Sequence, residues 1–203
     1  MTNKEYIEFI FNYIFKYFID IAKDKYGVFI LQKCLIVLDD EQRKTFYNKI
    51  AFYLEYIMKD CYGYYLILYI FTKFEKIKFL EVSEIITKIE ENILDFCQSK
   101  YSSSVIEKCF EKGNNEISEH ILKYLLEYHS NSIINILTNS YGFYVIKKTM
   151  RVNKKIFRDK IGNIIINDLD KIKDSYYVNK IITNFTFEYK GFSDILFEKN
   201  KLV

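Results

Sequence analysis

Apolar residues recur along this chain at helical spacing. Phe46, Ile50, Leu54, Ile57 and Met58 follow an i, i+4 logic, as do Ile85, Ile86, Ile89, Ile93 and Phe96. A 3.6-residue turn gathers each set onto one face. Between such stretches a second pattern returns. Residues 25–35, 61–71, 100–110 and 140–150 align without gaps, and 172–182 aligns more weakly. Measured from Lys33 through Tyr69, Lys108, Lys148 and Lys180, the steps are 36, 39, 40 and 32 residues, the range of helical solenoid units. Each unit reads as a helix A, a short turn at a Tyr-Gly or Tyr-Ser pair, and a helix B. One such unit cannot bury its own apolar face, whereas stacked units bury it together. The pattern predicts an all-α solenoid of about five repeats, forming a single domain over 1–203.

The geometry of helix B separates two faces. At 100° per residue, with Val28 at 0°, Gln32, Phe29 and Lys33 fall at about 40°, 100° and 140°. Ile30, Leu31, Cys34 and Leu35 fall between about 200° and 340° and form the expected core stripe. The same split leaves Tyr64, Tyr65, Leu68 and Tyr69 on the other face of the second unit, then Ser103, Ser104, Glu107 and Lys108. The fourth unit leaves Phe143, Tyr144, Lys147 and Lys148, and the fifth Ser175, Tyr176, Asn179 and Lys180. A helix that only packed would keep this face bland. Here aromatics stand beside polar and cationic groups, and superposed units align them in a ladder. Aromatic rings stack on nucleic-acid bases and lysines meet phosphates. A second core layer, or an overall bias toward Ile, Lys, Asn, Tyr and Phe, accounts for the same residues.

Composition narrows the picture. Half the residues are hydrophobic and 28% charged, a globular balance. The chain has no proline and six glycines, so long helices run without breakers. A net charge of +3 permits a nucleic-acid partner without arguing for one. Cys34, Cys61, Cys97 and Cys109 form no CxxC pair and accompany only two histidines, His120 and His129; zinc-ligand spacing is absent. The cysteines read as reduced, mostly buried thiols of an intracellular protein. The first five residues lack a signal-peptide layout, and the uncharged run 9–15 is far shorter than the ~20 residues of a membrane span. No Ser/His/Asp arrangement, phosphate loop or dinucleotide fingerprint points to an enzyme or a cofactor.

At the repeat blocks the sequence resembles a known family. Tyr141-Gly142-Phe143-Tyr144-Val145-Ile146-Lys147-Lys148 looks like the second-helix signature of Pumilio (PUF) repeats. Asp24-Lys25-Tyr26-Gly27 with Ile30-Leu31-Gln32-Lys33-Cys34-Leu35 is similar. Tyr101-Ser102-Ser103-Ser104-Val105-Ile106-Glu107-Lys108-Cys109 resembles the unit that reads guanine, which in the family precedes the last full repeat. The likeness covers roughly residues 12–187, and its order matches the C-terminal half of an eight-repeat domain.

The resemblance implies a right-handed crescent whose second helices line the concave face, at about one base per repeat. It implies base-edge contacts from Val28 and Gln32, Tyr64 and Leu68, Ser103 and Glu107, and Phe143 and Lys147. It implies stacking from Phe29, Tyr65, Ser104, Tyr144 and Tyr176. Lys33, Lys108, Lys148 and Lys180 are the expected backbone contacts. The chemistry of Ser103 and Glu107 stands without the family. An ionised carboxylate only accepts, and the Watson–Crick edge of guanine offers adjacent N–H donors. Ser103 lies one turn earlier on the same face. The bland alternative is a solvated Glu–Lys surface. Three of the four edge pairs depart from the family pattern, since Val28, Leu68 and Phe143 lack hydrogen-bonding capacity.

The expected function is sequence-selective binding of single-stranded RNA, in messenger 3′ untranslated regions, with guanine opposite Ser103 and Glu107. The convex face is left for protein partners. Control of translation or message stability in the cytoplasm follows by analogy. The alternatives are a ribosome-assembly factor that holds RNA without reading bases, with a nucleolar location, and a helical scaffold for proteins. Fewer repeats read fewer bases, so binding is expected to be weak unless the chain dimerises or a partner helps. At the ends, residues 187–203 are expected to fold back or fray. The apolar stretch 6–15 either closes the first repeat or marks an interface with another chain.

Overall fold

A computed structural model describes residues 3–73, 79–112, 115–152, 155–172 and 174–188. The expected fold-back of residues 187–203 lies mostly outside the described residues. Among the described residues there is no strand.

Five units follow one another, each of three helices. They are α1 (Asn3–Lys16), α2 (Phe18–Ala22) and α3 (Gly27–Val37); then α4 (Asp40–Phe52), α5 (Leu54–Met58) and α6 (Tyr64–Lys73). The third unit holds α7 (Ser83–Glu91), α8 (Ile93–Gln98) and α9 (Ser102–Lys112). The fourth holds α10 (Asn115–Tyr128), α11 (Ile133–Thr138) and α12 (Gly142–Val152), and the fifth α13 (Lys155–Asn167), α14 (Leu169–Ile172) and α15 (Tyr176–Glu188). The expected helix A is thus two helices. The break recurs at Tyr17, Tyr53 and Asn92, whose ψ angles of 25°, 13° and 15° leave the helical basin.

Neighbouring units stack in register. In one layer α4 packs on α7 and α7 on α10; in the other α3 packs on α6, α6 on α9 and α9 on α12. The core runs continuously between the layers. Phe46 of the second unit sits edge-on to Phe18 of the first, 5.3 Å between ring centres, and Leu31, Ile57, Leu66, Phe96, Val105 and Ile136 are sealed from solvent.

The turn into helix B is built the same way three times. The Asp24 carboxylate accepts from the backbone N–H groups of Tyr26 and Gly27 at 2.9 and 2.7 Å. Asp60 does so for Tyr62 and Gly63, and the Asn139 amide oxygen for Tyr141 and Gly142. Short polar side chains satisfy helix-start donors in this manner. The glycines are needed because the chain doubles back tightly: a Cβ on Gly142 would lie 2.2 Å from the Ile136 carbonyl oxygen. The third unit solves the same approach differently. Ser102 replaces the glycine and donates its hydroxyl to the equivalent carbonyl, Phe96, at 2.9 Å.

One sequence expectation is corrected here. On α3 the buried stripe is Val28, Leu31 and Leu35, while Ile30 is 53% exposed. The equivalent positions Leu66, Val105 and Val145 are fully buried, because a preceding helix B covers each. The first unit has no described unit before it.

Candidate nucleic-acid interface

The helix-B layer aligns its second position across the units. Phe29, Tyr65, Tyr144 and Tyr176 are 55%, 42%, 51% and 68% exposed, although each is a large ring one residue from a buried or half-buried neighbour. Ser104, at the same position of α9, is half-buried. The fourth residue of each set is cationic or aromatic: Lys33 and Lys180 are exposed, and Tyr69 is half-buried.

The first position behaves differently. Val28 and Phe143 are each 1% exposed, so both side chains belong to the core and present no edge at this surface. Ser103, at the same position of α9, is buried as well, at 5%. Tyr64 and Leu68 are half-buried against the core. The Tyr64 ring stacks on Tyr101 of the next unit at 5.5 Å and 25°, and burial, helped by the neighbouring Tyr65 hydroxyl, holds its phenol well above the ordinary range. Gln32 is already engaged, donating its side-chain N–H to the Tyr65 carbonyl at 3.0 Å. Tyr101 and Phe143 thus tie adjacent units through rings, the latter meeting Tyr177 at 5.3 Å. The sequence reading assigned no such role to Tyr101, yet a turn tyrosine recurs at Tyr26, Tyr62, Tyr101 and Tyr141, and that repetition was the available signal.

Ser103 and Glu107 share a face of α9. Ser103 is buried and donates weakly to the Lys100 carbonyl at 3.3 Å, which leaves its oxygen as an acceptor. The Glu107 side chain is 26% exposed and lies 3.9 Å from the Lys148 ammonium of α12. Lys148 also approaches Glu111 at 3.2 Å, and Lys108 binds Glu111 at 2.6 Å. Hydrogen bonds first from Lys108 and then from Lys148 pull the Glu111 carboxyl down to about 2. Two of the expected backbone cations, Lys108 and Lys148, are therefore held by carboxylates. Lys147 and Lys180 sit 5.8 and 5.9 Å from the Phe143 ring centre, and Lys180 lies 5.5 Å from that of Tyr176. These are cation–π contacts at the edge of the ladder.

Elsewhere, Cys97 and Cys109 are buried, Cys34 half-buried and Cys61 exposed, all free thiols. Among the described residues no group of His, Cys, Asp and Glu could hold a metal ion, and no helix is long and apolar enough to cross a membrane.

Stacked three-helix units with one polar–aromatic helix-B face define a helical-repeat protein with a row of side chains along that face. Residues 17–51 and 92–126 each match the Pumilio-family RNA binding repeat. The chain is 24% identical to Pumilio homolog 12 of Arabidopsis thaliana over 176 residues, 87% of this chain and 29% of that protein. It is 31% identical to Pumilio homology domain family member 4 of Saccharomyces cerevisiae over 153 residues, 74% of this chain and 17% of that one. Nucleolar protein 9 of Eremothecium gossypii is 25% identical over 114 residues, 54% of this chain and 16% of that protein. Among solved structures, the RNA-binding domain of yeast Puf5p bound to AAT2 RNA superposes with a TM-score of 0.77 at 22% identity, covering 97% of this chain and 56% of that one. PUF-8 in complex with PBE-RNA superposes at 0.75 and 21% identity, covering 90% and 54%. The fold is the all-α solenoid that the repeat blocks predicted, with the PUF form that the resemblance implied. The chain belongs to the Pumilio (PUF) repeat family. It spans less than a third of the length of these curated relatives and about half of the solved RNA-binding domains.

Proposed function

We propose that this chain binds single-stranded RNA along its helix-B face. The observation that carries the reading is the exposure of four aromatic rings at one repeated position, Phe29, Tyr65, Tyr144 and Tyr176. Solvent-exposed rings in register, interrupted at Ser104 of the third unit, suit stacking against bases of an extended strand, at ~1–3 kcal/mol per stacked base. Ser103 and Glu107 give the ladder one polar pair able to accept from the guanine edge. Lys33 and Lys180, exposed at the fourth position, meet the phosphates.

Solved relatives carry RNA from 3′ untranslated regions: yeast Puf4, for example, is bound to a recognition sequence from the HO endonuclease RNA. That supports control of message translation or stability in the cytoplasm as the finer reading, with partners on the opposite, helix-A face. The likeness to Nucleolar protein 9 favours a second reading, ribosome assembly in the nucleolus with contacts that ignore base identity.

The test is a titration of a short unstructured RNA with the native chain and with Tyr65→Ala and Tyr144→Ala. Each substitution is expected to weaken binding by roughly 5- to 150-fold. Unchanged binding in both variants would remove the stacking ladder from the mechanism.

A further inference from the structure

The second unit departs from its neighbours along the helix-B face. There α6 carries Tyr64, Tyr65, Leu68 and Tyr69, where α9 carries Ser103, Ser104, Glu107 and Lys108. The two sets are complementary. The α9 set has a carboxylate and no ring; the α6 set has rings and no charge. Tyr69 stands where the other units carry Lys33, Lys108, Lys148 and Lys180.

The polar groups around Tyr65 are already engaged. Gln32 of α3 donates its side-chain N–H to the Tyr65 carbonyl at 3.0 Å, so the first unit grips the backbone from which that ring projects. The Tyr64 ring lies 4.1 Å from the Tyr65 ring and 5.5 Å from that of Tyr101, centre to centre, and it stacks on Tyr101 at 25°. Its hydroxyl adjoins that of Tyr65. The Lys100 ammonium sits 5.1 Å from the Tyr101 ring centre. Leu68 packs against the core and has no hydrogen-bonding atom in its side chain.

Tyr65 is thereby held through α3 on one side and through the turn of the third unit on the other, yet its ring remains 42% exposed. A ring fixed before its ligand arrives loses little freedom on binding. Every base has a π-face, so stacking tolerates all four bases. Reading a base needs donors or acceptors left open toward its edge.

We propose that the second unit holds one nucleotide by stacking alone. Tyr65 takes the base on its ring, and Gln32, Tyr64 and Tyr101 are positioning residues for Tyr65 rather than readers of a base edge. The target strand then carries a nucleotide of any identity beside the guanine assigned to Ser103 and Glu107. This assignment rests on the helix-B face being the RNA surface.

RNAs containing UGUA, with 4-thiouridine on one side of the guanine or the other, test it. One of the two should crosslink to Tyr65, which identifies the nucleotide that the second unit holds. Varied through the four bases in unmodified RNA, that nucleotide should change the affinity of the native chain by no more than about threefold, a measurement that needs no substitution. Gln32→Ala and Tyr101→Ala should each weaken every RNA of the set by roughly 2- to 10-fold. Both should keep the helical circular dichroism and leave the ranking of bases unchanged. A wider preference at the crosslinked position, no crosslink to Tyr65, or a changed ranking in Gln32→Ala would overturn the proposal. Absence of binding to every one of these RNAs would instead overturn the RNA role of the whole face.

Discussion

The Lys148 ammonium on α12 lies 3.9 Å from a carboxylate oxygen of Glu107 on α9, so the fourth unit reaches back to the carboxylate proposed to read a base. The same ammonium holds Glu111 at 3.2 Å. Two carboxylates one turn apart repel unless a cation stands between them. Lys148 is thus placed to aim Glu107 as well as to meet a phosphate. Lys148→Met should therefore shrink the preference for guanine over cytosine. A residue that only touched phosphate would weaken both RNAs equally and leave the ratio unchanged. Binding titrations with the two RNAs separate these roles.

Adjacent residues on α12 should respond in opposite ways. Phe143 is 1% exposed and Tyr144 51%. Phe143→Ala is expected to cost about 3–5 kcal/mol of stability, read as a lower urea midpoint. Tyr144→Ala should leave that midpoint nearly unchanged and act on RNA affinity. Equal loss of stability in both would mean that Tyr144 is packed.

The turn before helix B makes a sharper prediction. Gly142 stands where a Cβ would press on the Ile136 carbonyl, so Gly142→Ala should destabilise by about 1–3 kcal/mol. Gly142→Ser should cost less than alanine. Its hydroxyl can donate to that carbonyl, as Ser102 donates to Phe96. Asn139→Ala, which removes the acceptor for Tyr141 and Gly142, should cost about 1 kcal/mol. Urea unfolding of the three variants gives the order.

Acid should loosen the α9–α12 contact. Glu111 is held at about 2 against an ordinary 4.5. A carboxyl depressed in the folded state binds fewer protons than in the unfolded one. Its contribution is therefore full above pH 4.5 and lost as pH falls toward 2. Asp24, lowered by the Gly27 and then the Tyr26 N–H, acts with the same sign below its ordinary 3.8. Glu111→Gln should flatten the fall in stability between pH 4.5 and 2 relative to the native chain. An unchanged acid limb would mean that the Lys108–Glu111–Lys148 cluster contributes nothing to folding.

Much of this was readable from the chain itself. In-phase blocks containing Lys33, Tyr69, Lys108 and Lys148 located the units, because a solenoid repeats its local rules at each step. The rest depended on neighbours that a single helix wheel does not contain. Ile30 is exposed because the first unit lacks a described predecessor, which a helix wheel does not contain; Val28 is buried like Ser103 and Phe143 at the same position, a packing that the wheel placed on the wrong face. The Lys108–Glu111 pair lies within one helix, but the second partner of Glu111, Lys148, comes from the next unit, 37 positions along the chain, and a single helix does not show it. The split of helix A at Tyr17, Tyr53 and Asn92 has no proline or glycine to mark it, so local chemistry carried no signal. Asp24, Asp60 and Asn139, by contrast, were legible as turn acceptors from their spacing to the following Gly and were passed over.

The central claim is that this surface reads a base. It is tested most directly by titrating the native chain and Glu107→Ala against single-stranded RNAs containing UGUA and UCUA at one fixed salt concentration. The account predicts that the native chain favours UGUA by about tenfold or more, the scale of a good two-point base contact, and that Glu107→Ala binds the two nearly alike. Equal binding of both RNAs by the native chain, falling steeply as salt rises, would contradict it.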